Sequence, residues 1–178
     1  MTAKPLTDNG LVRLSILSPH WRKVVEVESP SKTRGLREFL FETPEPEAAA
    51  ILDLYPEGNY LYFGTAANGQ RFVGSAELSH ELPGEAAIRS PVEGAVIPPG
   101  ALTIVWSPVP DAVQYVVEFE NESAEPEQSF SFVVGSATTS FVVPSALVVP
   151  SSDYQVGVAS VHENGNLVFS ETTFSTAD

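Results

Sequence analysis

Three histidines and a run of glutamates are the residues of this 178-residue chain whose types could do chemistry. A zinc-binding protease helix needs two histidines four residues apart, so that both imidazoles reach one ion. His80-Glu81-Leu82-Pro83-Gly84 begins that way, but Gly84 stands where the second histidine belongs and Pro83 breaks a helix. His162-Glu163-Asn164-Gly165-Asn166 fails similarly, and His20 stands alone. All three read as surface or turn histidines. The chain has no Gly-x-Ser-x-Gly elbow and no glycine-rich phosphate loop. It has no cysteine, which removes disulfides, thiol chemistry and thiolate-held metal.

Carboxylates are the remaining reactive groups. A glycosidase needs two of them across a cleft, one with a raised pKa. Acidic residues are abundant here, but most fall in loops or on the wet faces of strands, where solvated surface is the reading. The densest cluster is Glu118, Glu120, Glu122, Glu125 and Glu127. The first two share one strand face and the others follow in a loop. Calcium loops favour aspartate and asparagine around a glycine turn. Here the acidic residues are glutamates without that spacing, so the cluster reads as a solvated acidic loop, with calcium or a basic partner as the sharper alternatives. Asn121-Glu122-Ser123 also matches the glycosylation acceptor pattern.

The elements that must position these residues follow from composition and periodicity. A hydrophobic fraction of 43% with 18% charged residues is that of a folded chain. Fifteen prolines and twelve glycines imply many short elements and many turns, which favours strands over helices. The net charge of −14 argues against nucleic acid and against anionic lipid, both of which need lysine and arginine. The charge is unevenly spread. Residues 1–89 hold nine basic and twelve acidic residues, net −3; residues 90–178 hold eleven acidic and no basic ones, net −11. The step at Arg89 falls in a Pro/Gly-rich stretch, and a domain boundary is expected there, dividing residues 1–85 from 86–178. No apolar run approaches the ~20 residues of a membrane span. Met1 to Asp8 has no apolar core of a secretory leader. An extracellular or cell-surface setting is expected if a leader has been removed, and an intracellular one otherwise.

In the C-terminal half, short β-branched and aromatic runs recur between turn signals. Leu102, Ile104 and Trp106 share a face, as do Tyr115, Val117 and Phe119, while Gln114, Val116, Glu118 and Glu120 point the other way. Further strands are expected at Ala86-Ile88, Phe130-Val134, Thr138-Val143 and Tyr154-Val161, with Tyr154, Val156 and Val158 as a buried row. Leu167-Phe169 and Thr172-Phe174, after a loop carrying Asn164-Gly165, read as a hairpin closing the sheet. The count is seven strands, which two packed antiparallel sheets would bury.

These residues resemble a fibronectin type III domain. Trp106 matches the family's tryptophan at the end of the second strand and Tyr115 its third-strand tyrosine. Val148-Val149-Pro150-Ser151-Ser152-Asp153-Tyr154 matches its Leu-x-Pro-x-x-x-Tyr corner, with Val148 in place of leucine. The resemblance implies that the Tyr154 ring fills the core while its hydroxyl serves backbone groups of the preceding turn. It covers half the chain and is silent on function, because the fold hosts many roles. There is no Arg-Gly-Asp triplet, so integrin recognition of that kind is not implied.

The N-terminal half reads as a β-rich domain with one short helix. Asn59-Gly64 and Arg71-Leu78 flank a turn containing Asn68-Gly69, a hairpin signal, and Gly74 marks a bulge or a close backbone approach. A helix is expected over 44–54, opened by Thr43 as cap, Pro44 and early carboxylates, and closed by Pro56. Leu11-Leu17, Trp21-Val27 and the segment of Phe39 and Phe41 read as strands. Trp21, Tyr55, Tyr60 and Tyr62 are the aromatics left for a sugar-stacking face, with core packing preferred for Tyr60 and Tyr62. The order Pro56-Glu57-Gly58-Asn59-Tyr60, then Leu78-Ser79-His80-Glu81-Leu82-Pro83, ahead of a type III domain is similar to that of bacterial proteins of unassigned activity.

The expectation is an all-β protein of two parts that binds or spaces rather than catalyses. No catalytic, cofactor or metal residue is assigned, no cofactor is expected, and the binding residues and oligomeric state stay open. A protein partner at a sheet face, edge strand or end loop is the leading reading. A carbohydrate-binding accessory module, or an enzyme with convergent carboxylates at the domain junction, are the alternatives.

Overall fold

A computed structural model describes residues 10–29, 48–100 and 102–178. The chain divides into two compact units, Met1–His80 and Glu81–Asp178. The strand expected around Phe39 and Phe41 and the helix opening at Thr43 and Pro44 lie outside the described residues.

In the first unit, β1 (Leu11–Leu17), β2 (Lys23–Glu28), β3 (Gly58–Ala66) and β4 (Arg71–Leu78) form an antiparallel sheet in the order β2-β1-β3-β4. A helix of about two turns, α1 (Ala48–Leu54), precedes β3. Leu11, Leu14, Ile16 and Tyr60 form the buried cluster, with Val25, Tyr62, Phe72 and Leu78 packed against it. The Asn68-Gly69 turn closes β3 onto β4, with the Gly69 φ at 87° and the Gln70 N–H donating to Asn68 Oδ1 at 2.9 Å. Two local expectations are corrected. The second strand begins at Lys23 rather than Trp21, because Trp21 sits at φ 60° in the β1–β2 turn, where its N–H bonds the Ser18 carbonyl. Gly74 is neither a bulge nor a close approach: the β3–β4 register runs through it without a shift, and open space lies where a Cβ would project.

The second unit is a sandwich. Its strands are β5 (Ile88–Ser90), β6 (Ala95–Ile97), β7 (Leu102–Trp106), β8 (Gln114–Asn121), β9 (Gln128–Gly135), β10 (Ser140–Val143), β11 (Asp153–Val161) and β12 (Leu167–Thr176). One sheet has the order β10-β7-β5 and the other β6-β12-β11-β8-β9. Eight strands replace the expected seven. The first expected strand lies two residues later, at Ile88–Ser90, and β6 is an addition that pairs parallel to β12. Residues 167–176 are one continuous strand paired along all of β11, so the closing hairpin is β11–β12, turned at Asn164-Gly165.

Alternation explains the core. Ile104, Trp106, Tyr115, Val117, Phe119, Tyr154, Val156 and Val158 are buried between the sheets. Each such aliphatic or aromatic side chain contributes on the order of 1.5–3 kcal/mol by leaving water. Trp106 meets Tyr115 edge-on, with ring centroids 5.5 Å apart, although its buried indole N–H has no hydrogen-bond partner among the described residues. The Tyr154 ring stacks between Phe119 and Phe174, 5.1 Å from each. Its hydroxyl accepts the Val149 N–H at 2.8 Å and lies 3.2 Å from the Leu147 carbonyl, to which it can donate. This is the tyrosine corner expected from the sequence. Tyr115 does the same for the other end of the sandwich, its hydroxyl accepting the Val109 N–H at 2.8 Å.

Tyr154→Phe and Tyr115→Phe each leave a backbone N–H without its acceptor while keeping the ring. Each is expected to cost about 1–2 kcal/mol in urea unfolding, with an unchanged slope. A loss below a few tenths of a kcal/mol would show that water replaces the hydroxyl in that turn.

Candidate functional site

The histidines are placed apart and engaged locally. His80 Nε2 lies 2.7 Å from the Tyr55 carbonyl, and its backbone N–H donates to Glu57 Oε1. His162 Nε2 is 4.0 Å from Glu81 Oε1, and His20 is exposed in the β1–β2 turn. Among the described residues no group of three or more His, Asp or Glu side chains is arranged to hold a metal ion. Asn121 of the glycosylation pattern is buried, donating from Nδ2 to the Tyr154 hydroxyl at 3.4 Å and accepting the Ser123 N–H at 3.0 Å. Its amide serves the corner, which closes it to modification in the folded chain.

The aromatics do not make a platform. Tyr60 is buried, Tyr55 and Tyr62 are half-buried, and Trp21 is exposed alone in its turn. Burial pushes the Tyr60 and Tyr62 phenols above their ordinary pKa. A cleft of about 480 Å³ in the first unit is lined by His20, Arg22, Lys23, Asp53 and Tyr55 among others. Its described lining contains one carboxylate, Asp53, where glycoside hydrolysis needs two.

The feature that stands out is the outward face of the five-stranded sheet. Period-two alternation sends Val116, Glu118 and Glu120 of β8 away from the core, and pairing register decides what lies beside them. Val133, Val116, Ala159 and Phe169 form one row across β9, β8, β11 and β12. The next row outward along the strands contains Gln114, Val161 and Leu167. On the other side lie Ser131, Glu118, Gly157 and Glu171, and then Ser129, Glu120, Gln155 and Thr173. An apolar strip therefore borders two rows that carry carboxylates.

Exposure along the strip is uneven. Val133 is 65% exposed, Leu167 42% and Phe169 39%, while Ala159 between them is fully covered. The Phe169 ring reaches over Gly157, where an added Cβ would meet its edge at 3.5 Å and the Glu118 Cβ at 3.6 Å. The sequence pointed to Tyr154, Val156 and Val158 as the buried row of β11. It did not show that Gly157, Ala159 and Val161, on the opposite face, are buried as well.

Among the described residues no cation forms an ion pair with these carboxylates. Arg89 is the only lysine or arginine from Glu81 to Asp178. Desolvation, then the like charges of Glu120 and Glu171, raise the Glu118 pKa above the ordinary value. Glu120 accepts from the Ser129 hydroxyl at 3.0 Å. Glu93 is the opposite case: it accepts from the Thr173 N–H at 2.8 Å, the Thr173 hydroxyl at 2.7 Å and the Thr172 hydroxyl at 3.0 Å, which lower its pKa.

The two shifts act oppositely on stability. The Glu93 contribution is present above the ordinary carboxylate pKa and is lost as pH falls through the depressed folded value. Glu118 destabilises the fold once pH rises past its raised value, and that penalty vanishes below the ordinary carboxylate range. Glu93→Gln is therefore expected to lower the thermal midpoint at pH 7 and Glu118→Gln to raise it. Both differences should fade in scans carried down to about pH 3. A Glu118→Gln midpoint that does not rise at pH 7 would remove the like-charge account of this face.

No protein-family profile and no characterised protein matches the sequence. Among solved structures, a two-domain fibronectin type III segment of chicken tenascin is similar at 16% identity, covering 95% of this chain and 87% of that one, with a TM-score of 0.36. The FN5 domain of Drosophila Lar is similar at 18% identity over 51% of this chain and 96% of that one, with a TM-score of 0.33. The FN1–FN3 segment of chicken contactin shows 19% identity over 95% of this chain and 58% of that one, with a TM-score of 0.41. The fold assignment rests on the molecule itself: three strands ordered β10-β7-β5 against five ordered β6-β12-β11-β8-β9, the buried Trp106, and the Tyr154 corner. The C-terminal unit is a β-sandwich, three strands against five, similar to fibronectin type III domains in its arrangement.

Proposed function

We propose that this protein is a non-catalytic protein-binding module and that its C-terminal sandwich binds through the outward face of the five-stranded sheet. Sandwiches of this type commonly serve as interaction or spacer modules. The observation that carries the finer reading is the apolar strip of Val133, Val116, Phe169 and Leu167. Three strands, β9, β8 and β12, contribute these residues, and they lie beside carboxylates with no ion-pair partner among the described residues. A contiguous apolar patch with a polar rim is the anatomy of a protein interface. The carbohydrate alternative needs a row of exposed rings; the strip offers Phe169 alone among aliphatic neighbours.

The test compares capture of proteins from the native host by the wild-type chain, by Phe169→Asp, and by Val142→Asp, which alters an exposed residue of β10 in the other sheet. A specific partner should be retained by wild type and Val142→Asp and fall at least about tenfold with Phe169→Asp, as for a central interface residue. Circular dichroism checks that both variants fold. Equal capture by all three would mean that the face is not the binding surface.

A further inference from the structure

The face ends at β9, and this edge is unusually open. Exposed edge strands are normally guarded by lysine, proline, a bulge or an inward charge, because their free N–H and C=O groups accept another strand. β9 reads Gln128, Ser129, Phe130, Ser131, Phe132, Val133, Val134, Gly135. It contains none of these devices, and its eight residues pair with β8 in unbroken register from Gln114↔Gly135 to Asn121↔Gln128. Among the described residues no strand lies on its other side.

We infer that β9 accepts an extended segment of a partner protein as a sixth strand, and that this segment places an aliphatic side chain beside Val133 and lysine or arginine beside Ser131 and Ser129. The inference rests on the protein-binding reading above and names the partner's chemistry. The rows of the face dictate the pattern. A strand added at β9 continues the row of Val133, Val116, Ala159 and Phe169 with one residue, and the rows of Glu118 and Glu120 with residues two and four positions along. Side chains of alternate residues share a face, so one segment supplies all three. Its backbone lies two strand spacings, roughly 10 Å, from β8. A lysine or arginine and a glutamate bridge that gap between them, over the small serines of β9.

Charge selects the occupant. Glu118, Glu120 and Glu171 have no ion-pair partner among the described residues, and Glu122, Glu125 and Glu127 extend the negative end of the edge beyond Gln128. A second copy of this chain brings the same serines and Val133 on its own β9 and no cation. An acidic segment adds repulsion. A basic segment supplies what the face lacks, and opposite charges also speed encounter.

The probe is a pair of labelled ten-residue peptides in which threonine alternates with one valine and two lysines, the order reversed between the two because strand direction is not fixed by the rows. A third and fourth peptide carry glutamate for lysine. Binding to the full chain is followed by fluorescence anisotropy, and strand addition by amide hydrogen exchange along β9. One lysine peptide is expected to bind at least about tenfold more tightly than its glutamate counterpart and to slow exchange in β9. Val133→Lys, which puts a cation on the exposed edge, is expected to weaken it about fivefold or more, and Glu118→Gln with Glu120→Gln similarly. Lysine-peptide binding that leaves β9 exchange unchanged but disappears with Phe169→Asp would place the partner on the face, overturning strand addition and leaving the binding reading intact. Failure of all four peptides overturns the inference. If Phe169→Asp also changes nothing in capture from the host, the binding reading falls with it. Concentration-dependent protection of β9 in the protein alone, with a dimer in sedimentation, would show that the edge belongs to a second copy and overturn the inference.

Discussion

The Tyr154 corner is the constraint on which the sandwich depends. Its hydroxyl ties the Val149 N–H at 2.8 Å, and its ring is stacked between Phe119 of β8 and Phe174 of β12. That single side chain therefore fixes where β11 starts and aligns it with both neighbours in the five-stranded sheet. Strand periodicity is two, so a slip of one residue would exchange the two faces of β11. Val156 and Val158 would then face water, and Gly157 and Ala159 would face the core. Everything displayed on the outward face follows from this register.

The register also explains how an apolar strip can sit on a strongly acidic surface. The central strand contributes only Gly157, Ala159 and Val161 outward, and the larger Phe169 leans from β12 across the glycine. The patch is thereby shallow and narrow, one row deep over most of its width. Carboxylates border it on one side, in the rows of Glu118 with Glu171 and of Glu120.

Much of the sandwich was legible in the sequence because its signals are local. Alternation marked the inward residues of β7, β8 and β11, Asn-Gly pairs marked two hairpins, and the spacing from Val148 to Tyr154 marked the corner. The missed elements lack such signals. β6 is three residues between Gly94 and Pro98, too short for any period, and exists by pairing with β12. Trp21 adopts a conformation that favours glycine, which no propensity predicts for a bulky ring. The apolar strip was illegible for a different reason. Each strand carries only one or two of its residues, Val116 among Gln114, Glu118 and Glu120, or Val133 after Ser129 and Ser131. On one strand such a residue is an isolated exposed apolar side chain, which carries no meaning. Only the pairing of four strands turns them into a surface.

The same logic recasts the acidic cluster. Read along the chain, Glu118 to Glu127 is one solvated run. Read across the sheet, Glu118 belongs with Glu171, far along the sequence but facing it across Gly157. Gly157 has no side chain to separate them, and no basic residue follows Arg89 to neutralise either. The loop glutamates keep their hydration, whereas Glu118 is partly desolvated and shares its field with Glu120 and Glu171, which is why its pKa rises. One arginine placed among these three residues would relieve this charge arrangement, and among the described residues no cation pairs with any of them.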